Sequence, residues 1–269
     1  MVKKQHSETG KKDREALGWH RPVMLAVGGS DSCAGAGIQA DLLTAHALGV
    51  RCLTAIACLT SQTDNAFFAL MSVPAGHIRR QIQDMIAHYP VKMVKVGALG
   101  TAKTVKAVAE SLAGKSVPIV VDPVLGSSAA GSFSGQGLVD AYHEHLLNQT
   151  WLLTPNEAEL ARLGGLDAIF SAGTRYVLVT GGDTQQPVER LYSPQGMIKA
   201  FPHEKIPKTL HGTGCRFATA VTAYLMRGEN MPNAIDKAIA FVQKEIRRQG
   251  VEDEKLLAAV ADTKKDSSG

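Results

Sequence analysis

The sequence lacks several features that would place it in a specialised class of protein. Its four cysteines (Cys33, Cys52, Cys58 and Cys215) form no Cys-x-x-Cys pair, so zinc-binding and redox motifs are not indicated and reduced thiols are the simpler interpretation. No apolar run approaches the length of a membrane span, and residues 1–20 contain no apolar stretch typical of a secretory signal. We therefore expect a cytoplasmic protein with no membrane partner.

Excess charge is also scarce outside the N-terminus. The formal net charge is +4, and residues 1–25 alone contribute +3 of it. A polybasic face for nucleic acid is therefore not expected. The polar segment 1–20 is predicted to be a disordered leader, and 263–269 a disordered tail. No Pro/Gly linker and no repeat divides the residues between them, so 21–262 is predicted to form a single domain.

Short apolar runs alternate with helical patterns along the chain, which predicts an α/β fold. Right-handed crossovers then give a three-layer α/β/α arrangement with a mostly parallel central sheet. The predicted strands are 23–28, 52–59, 93–96, 118–121, 151–153 and 176–180, followed by an edge hairpin of 188–193 and 197–201. The predicted helices are 37–48, 77–88, 102–113, 137–147, 212–227 and 233–248, with a further helix beginning at the turn 154–156.

The segment Gly212-Thr-Gly-Cys215 is the most informative motif. It stops an extended segment and opens a helix rich in small residues, so the first N–H groups of that helix converge on one point, with the positive end of the helix dipole behind them. Such a turn binds an anion. Cys215 lies inside it, and we expect the helix terminus to lower the pKa of its thiol. A cysteine without this context is most often a buried packing residue.

Other polar residues follow predicted strands, where ligands bind in parallel sheets. Asp122, Asn156 and Glu159 are suited to hold Mg²⁺ beside phosphates, although Asp122 could be a turn former and Asn156 an ordinary helix cap. The amide of Gln62 could pair with an amino-pyrimidine edge or simply be solvated. The segment 35–40 matches the dinucleotide pattern G-x-G-x-x-A, but it does not directly follow a strand, and position 55 is alanine rather than acidic. A mobile flap over a small ligand is the preferred interpretation, and a loop that caps a helix is the alternative.

Taken together, these residues resemble the hydroxymethylpyrimidine/phosphomethylpyrimidine kinases of thiamine synthesis, in the ribokinase-like superfamily. The resemblance runs in order from about Pro22 to Gln249. The motifs that carry it are Gly28-Gly-Ser-Asp-Ser-Cys-Ala-Gly-Ala-Gly-Ile-Gln-Ala-Asp41, Thr60-Ser-Gln62, Lys95-Val-Gly97, Asp122-Pro-Val124, Thr154-Pro-Asn-Glu-Ala-Glu159, Val177-Leu-Val-Thr-Gly-Gly182 and His211-Gly-Thr-Gly-Cys215.

The resemblance implies that ATP phosphorylates 4-amino-5-hydroxymethyl-2-methylpyrimidine and then its monophosphate, with Mg²⁺ as cofactor. It also implies a role for each motif residue. Gly29, Gln62 and Val124 would face the pyrimidine, and Gly212, Thr213, Gly214 and Cys215 would form the anion hole at the γ-phosphate. Asp122, Glu159 and Asn156 would organise Mg²⁺ and phosphate, and Thr180 with Gly182 would line the ATP site. We also expect a homodimer.

A cysteine in the anion hole suits this pair of reactions. The first acceptor is an alcohol, which a base or an oriented acceptor assists. The second acceptor is a phosphate monoester that is already mostly ionised, because its second pKa is about 6. A permanent carboxylate in that place would repel the monoester, whereas a neutral thiol would not. Most of the catalysis must then come from positioning and charge stabilisation.

The sequence departs from the family pattern at a few positions. Ala98 replaces a common methionine, Thr180 a common lysine, and Cys33-Ala34 the usual serine-glycine, while the stretch from Leu160 to Arg175 is shorter than usual. Two other functions stay open at this point. One is a pyridoxal kinase, and the other is a pyrimidine-binding sensor that has lost turnover. Intact Asp122, Glu159 and Gly-Thr-Gly-Cys argue against the sensor.

Overall fold

A computed structural model describes residues 21–63, 66–127, 131–132, 136–182, 184–207 and 211–266. The predicted leader, 1–20, lies outside the described residues, as do the last three residues of the predicted tail. None of the helices described within these ranges is long and apolar enough to cross a membrane.

The architecture is built on a nine-stranded sheet. Its strands are β1 (Val23–Ser30), β2 (Arg51–Gln62), β3 (Phe67–Ser72), β4 (Val91–Val96), β5 (Ile119–Val121), β8 (Leu152–Leu153), β9 (Tyr176–Val179), β10 (Val188–Ser193) and β11 (Gly196–Pro202). The spatial order is β11-β10-β9-β8-β5-β4-β1-β2-β3. The six strands from β9 to β2 in this order pair in parallel. The outer strands pair antiparallel: β3 with β2, β10 with β9, and β11 with β10. The two-residue strands β6 (Gly126–Ser127) and β7 (Gly131–Ser132) pair separately.

Helices cover both faces of the sheet. They are α1 (Gly37–Ala47), α2 (Ala75–His88), α3 (Ala102–Leu112), α4 (Gln136–Ala141), α5 (Glu157–Arg162), α6 (Gly165–Ser171), α7 (Thr213–Met226) and α8 (Met231–Asp266). One apolar core packs α2, α3 and α4 against the sheet, and a second packs α1, α7 and α8 against the other face. The central strands β1, β5, β8 and β9 are almost entirely apolar, as expected for parallel strands that are buried on both sides, whereas β4 also carries Lys92 and Lys95. The predicted three-layer α/β/α fold with a mostly parallel sheet is confirmed.

The structure differs from the sequence-based expectation in several places, which include the helix α6 and the β6–β7 pair. The edge strand β3 was not predicted, and after α4 the chain widens into a π turn over Tyr142–Leu146 instead of continuing as one helix. Helix α8 runs to Asp266, so it includes the first part of the segment that was predicted as a disordered tail. The helix continues because residues 251–266 contain neither proline nor glycine and are rich in strong helix formers.

Candidate active site

The turn before α7 has the conformation that the sequence predicted. Gly212 has φ +78°, a left-handed conformation that favours glycine, and α7 begins at the next residue. A Cβ atom at Gly212 would lie 2.3 Å from the carbonyl oxygen of Gly35, so the turn also needs glycine for its close contact with the loop before α1. Helix α7 is 14 residues long, and its first turn therefore offers unpaired N–H groups to an anion.

The twelve residues predicted for the site all lie on the wall of one cleft of about 1330 Å³. They come from the carboxyl ends of parallel strands and from the first turn of α7, and they are Gly29, Gln62, Asp122, Val124, Asn156, Glu159, Thr180, Gly182, Gly212, Thr213, Gly214 and Cys215. The individual role of each residue stays a prediction. Their convergence reflects the rule that parallel α/β sheets bind ligands beyond the carboxyl ends of their strands.

A buried lysine lies beneath the anion-binding turn. Nζ of Lys95, at the end of β4, lies 2.9 Å from Oδ1 of Asp41 on α1 and 3.7 Å from Oδ2 of Asp122 after β5. The hydroxyl of Thr219 on α7 also donates to Asp41 at 2.7 Å. Burial lowers the pKa of Lys95, but the Asp41 carboxylate and other acidic neighbours raise it by a larger amount. The net pKa is therefore above its ordinary value, and the lysine stays charged. This network connects α1, β4 and α7, and we did not assign a role to Lys95 or Asp41 from the sequence.

The expectation for the Cys215 thiol was wrong. Burial raises the pKa of Cys215 to about 12, and the nearby carboxylate of Asp122 raises it too, while Lys95 acts in the opposite direction. The helix terminus therefore does not produce a thiolate in the ligand-free protein, because the cost of burying the charge is larger. At neutral pH the site contains a neutral thiol beside a lysine and a carboxylate.

Glu159 and Asn156 form the capping box of α5. The Asn156 side chain accepts a hydrogen bond from the Glu159 N–H at 2.8 Å, and a Glu159 carboxylate oxygen accepts from the Asn156 N–H at 3.0 Å. Burial raises the pKa of Glu159 to about 7, and the neighbouring charge of Asp122 adds to the increase. Glu159 therefore caps the helix, as the structural interpretation predicts. Its strongly raised pKa is unusual for a capping residue and favours a functional role as well.

The pair of carboxylates fits a divalent cation. Burial raises the pKa of Asp122, and Lys95 offsets this only in part. Among the described residues, Oδ2 of Asp122 is a buried side-chain oxygen without a hydrogen-bond partner. Two neighbouring carboxylates whose pKa values are both raised, the buried one with an oxygen that makes no hydrogen bond, are stabilised by a hard cation such as Mg²⁺. The residues present therefore fit the Mg²⁺ that the resemblance implies.

The first two strands supply the other end of the cleft. The Asp31 carboxylate accepts hydrogen bonds from the N–H groups of Cys33 at 2.9 Å and Ala36 at 2.7 Å, which fix the loop that follows β1. At the end of β2, the Gln62 N–H and carbonyl both bond the Ser32 hydroxyl, at 3.0 and 2.9 Å. The backbone of Gln62 is therefore held by the neighbouring loop, and the residue lines the cleft.

Two basic residues of the cleft were missed from the sequence. Nζ of Lys205 donates to the carbonyl of Gly182 at 2.6 Å, near the position where Thr180 replaces the lysine common in the family. Arg216 follows Cys215 in the first turn of α7 and also lines the cleft. Its Nε is a buried side-chain nitrogen that has no hydrogen-bond partner within the described part of the chain. The position of Arg216 directly after the Gly-Thr-Gly-Cys turn was the available signal.

The fold is that of the ribokinase-like superfamily. The family model described as phosphomethylpyrimidine kinase matches residues 31–257. The chain belongs to this family.

Individual relatives agree with the assignment. The hydroxymethylpyrimidine/phosphomethylpyrimidine kinase of Streptomyces coelicolor is 32% identical over 82% of this chain and 87% of its own length. The bifunctional thiamine biosynthesis protein ThiDN of Methanocaldococcus jannaschii is also 32% identical, over 82% of this chain. The chain spans only about half the length of this and similar bifunctional relatives, 52% in that case. A pyridoxal kinase of Staphylococcus aureus, solved with AMP-PCP, superposes with a TM-score of 0.74 at 27% identity, covering 84% of this chain and 88% of that one.

Proposed function

We propose that the protein transfers the γ-phosphoryl group of ATP to 4-amino-5-hydroxymethyl-2-methylpyrimidine and then to the resulting monophosphate. The observation that carries the proposal is that the Gly212–Cys215 turn and the carboxylates Asp122 and Glu159 lie on one cleft. An anion-binding helix terminus beside a pair of carboxylates suited to Mg²⁺ is the arrangement that phosphoryl transfer requires.

In the first reaction the substrate hydroxyl oxygen forms a bond to the γ-phosphorus, the bond from that phosphorus to the β–γ bridging oxygen breaks, and ADP leaves. The hydroxyl proton is lost in the process. In the second reaction a monophosphate oxygen takes the place of the hydroxyl. The N–H groups of the turn and the cation Arg216 would stabilise the negative charge of the transferred group. Asp122 and Glu159 would hold Mg²⁺, which neutralises the phosphate oxygens when bound.

The raised pKa of Cys215 changes the role proposed for it. A neutral thiol beside Lys95 and Asp122 orients the acceptor without repelling it, and it is suited to an alcohol and a phosphate alike. We therefore propose that Cys215 is an orienting group rather than a resting thiolate base. Because Asp122 is assigned to Mg²⁺, the hydroxyl proton lost in the first reaction passes to a phosphate oxygen of the nucleotide or to solvent rather than to this carboxylate.

A pyridoxal kinase is the second candidate. It is favoured by the likeness to the Staphylococcus aureus pyridoxal kinase, which has been solved with pyridoxal as well as with nucleotide. Ala98 supports it independently. Ala98 lies on the cleft beside Gly29, and its Cβ would be 3.7 Å from a Cβ added at Gly29. A small residue here leaves room for a six-membered ring that carries more substituents than the pyrimidine.

A coupled assay of ADP release separates these functions. We expect turnover with the hydroxymethylpyrimidine and with its monophosphate, and a lower kcat/KM with pyridoxal. A kcat/KM that is highest for pyridoxal would make the second candidate the correct one. Binding of the pyrimidine without ADP release from any of the three would identify a sensor instead of an enzyme.

The remaining expectations are also proposals. We propose that 21–262 acts as a single domain in the cytoplasm and that the protein is a homodimer. The sheet edge is the surface proposed for pairing, because Leu59 on β2 and Met71 on β3 are directly opposite each other and both exposed, as is Phe68. Light scattering on the wild type and on Met71→Glu tests this. We expect a dimer that the charge dissociates, and a wild-type monomer would contradict the proposal.

A further inference from the structure

Three side chains that are far apart in the sequence meet at one end of the cleft. Sγ of Cys33 lies 3.2 and 3.4 Å from the two carboxylate oxygens of Asp31, and Nε2 of His211 lies 3.4 Å from Oδ2 of Asp31. One ligand atom from each residue lies within 4.8 Å of the other two. Tetrahedral zinc, with bonds of about 2.0–2.3 Å, separates its ligand atoms by roughly 3.3–3.6 Å. The distances from Asp31 to the other two ligand atoms therefore fit a single ion, and the separation of Cys33 and His211, within 4.8 Å, allows one after a small side-chain rotation.

The backbone holds these three residues in place without a ligand. Asp31 is almost fully buried and is fixed by the N–H groups of Cys33 and Ala36. The ring of His211 packs so closely on Gly35 that a Cβ atom there would lie 2.6 Å from Cδ2 of the histidine. The loop after β1 and the residue before the anion-binding turn are thus in contact, and a bound ion would need little rearrangement of the chain.

The electronic state of the cluster also suits a cation. Burial raises the pKa of Asp31, but the hydrogen bonds from Ala36 and Cys33 leave it below its ordinary value, so the group is a carboxylate. Nε2 of His211 is buried and, within the described residues, makes no hydrogen bond. A buried imidazole nitrogen without a hydrogen-bond partner, next to a carboxylate and a thiol, is an available metal ligand.

We propose that Asp31, Cys33 and His211 form a binding site for one zinc-class divalent cation, separate from the Mg²⁺ site at Asp122 and Glu159. The donor set of sulfur, nitrogen and oxygen selects a borderline-soft ion over Mg²⁺, which prefers oxygen ligands only. Binding displaces the thiol proton of Cys33 into solvent. The fourth ligand position faces the cleft, and the ion ties the loop after β1 to His211, directly before the anion-binding turn.

Cobalt is the probe that tests the proposal, because it reports both the geometry and the sulfur ligand. We expect the full chain, after chelator treatment, to bind one equivalent of Co²⁺ with a visible band typical of tetrahedral coordination and a near-ultraviolet thiolate charge-transfer band. Zn²⁺ should displace the Co²⁺, and excess Mg²⁺ should not. No stoichiometric binding, or displacement by Mg²⁺, would overturn the proposal.

Variants assign the sulfur ligand. Cys33→Ser should abolish the charge-transfer band and weaken Zn²⁺ binding at least about 100-fold, since loss of even a residue that only hydrogen-bonds to a metal ligand costs about 10–100-fold. Cys52→Ser is the matched control, because that thiol bonds the carbonyl of Leu53 away from the cluster, and it should keep the band. A band that persists in Cys33→Ser, or disappears equally in Cys52→Ser, contradicts the assignment.

A measurement on the unaltered protein keeps the proposal testable if Cys33→Ser does not fold. Zn²⁺ should slow the alkylation of Cys33 by iodoacetamide about tenfold or more, read by mass spectrometry of the modified peptide, because a coordinated thiolate is a poorer nucleophile. The rate at Cys52 should not change. An unchanged rate at Cys33 in saturating Zn²⁺ would exclude the site.

Discussion

Nζ of Lys95 lies 2.9 Å from Oδ1 of Asp41, and both side chains are almost completely inaccessible to solvent. The two residues lie on β4 and α1, 54 positions apart in the sequence. The hydroxyl of Thr219 on α7 donates a hydrogen bond to the same carboxylate oxygen. A buried pair of this kind gains stability only if its remaining hydrogen-bonding groups are satisfied, as Thr219 helps to achieve here. Because Lys95 also faces Asp122 and Cys215, the ion pair fixes a positive charge beneath the proposed phosphoryl-transfer site.

Removal of the lysine should be strongly destabilising. Lys95→Met leaves Asp41 as an uncompensated buried charge, and we expect a loss of about 3–5 kcal/mol in the free energy of unfolding. Thr219→Val removes one hydrogen bond and should cost about 1–3 kcal/mol. Urea unfolding measures both. The double variant Lys95→Met/Asp41→Leu serves as the control and should recover part of the loss. If its loss equals the sum of the losses in Lys95→Met and in Asp41→Leu measured separately, Lys95 and Asp41 do not act as a pair.

The neutral state of Cys215 predicts low reactivity. A thiol with a pKa of about 12 is almost entirely protonated at neutral pH, so iodoacetamide should label Cys215 far more slowly than Cys33, although both side chains are partly exposed. We expect Cys215→Ser to retain more activity than Cys215→Ala in the first phosphorylation, because a hydroxyl can still orient the acceptor. Both substitutions should affect the second phosphorylation less. Labelling of Cys215 that is complete before that of Cys33, together with a severe loss in Cys215→Ser, would instead show a thiolate.

Glu159 should make stability and magnesium binding depend on pH in opposite directions. Its pKa is about 7 in the folded protein and 4.5 ordinarily, so between these values the folded state retains a proton that the unfolded state has lost. The contribution of this group to the free energy of unfolding therefore falls as pH rises from about 4.5 to 7. Mg²⁺ requires the carboxylate, so its affinity should rise over the upper part of that range.

Glu159→Gln is the matched variant for this prediction. Glutamine keeps the capping box with Asn156 but cannot ionise. The urea midpoint of this variant should depend less on pH between pH 5 and 8. Its affinity for Mg²⁺, measured by titration with ATP binding as the readout, should be weak at every pH. If the stability of the wild type relative to Glu159→Gln rises between pH 5 and 8, the pKa of Glu159 is not raised.

The sequence was sufficient to predict that polar residues after different strands share one cleft, because it predicted the strand ends. Asp122 and Asn156 each follow a short apolar run, and parallel strands present their carboxyl ends at one edge of the sheet. The Gly212–Cys215 turn could be predicted for a local reason as well, since its glycines and the helix after it lie within a few residues of each other.

Properties that depend on distant contacts could not be predicted. The raised pKa of Cys215 follows from burial and from the carboxylate of Asp122, which together outweigh Lys95, and none of these is visible in the local motif. The contact between Asp31 and His211 joins positions 180 residues apart in numbering, without a spacing rule to indicate it. The edge strand β3 was missed because Phe67–Ser72 is apolar without clear alternation, and only its pairing with β2 defines it as a strand.

Ala34 holds a strained conformation that a single substitution should relieve. Its φ is +61°, and among the residues that the structure describes it is the non-glycine residue with a positive φ. The left-handed conformation costs an alanine roughly 1–2 kcal/mol. Ala34→Gly should therefore stabilise the protein by about 0.5–1 kcal/mol, after the extra freedom of glycine in the unfolded chain is subtracted. Ala36→Gly is the control in the same loop. Because φ is −127° there, thermal unfolding should show no gain, and an equal gain in both variants would exclude strain as the cause.

Gly214 gives a separate test of the anion-binding turn. It is the second residue of α7, its φ is not positive, and a Cβ atom added there would meet no protein atom within 4 Å. The described protein itself therefore does not require glycine at this position, but a ligand that approaches the backbone closely would. Gly214→Ala should fold normally and weaken ATP binding by an order of magnitude or more, as measured by calorimetry. Gly76→Ala changes the second residue of α2, where a Cβ atom likewise meets no protein atom within 4 Å. This variant should be at least as stable as the wild type and should bind ATP unchanged. If the two variants bind ATP equally well, the phosphates do not lie against this turn.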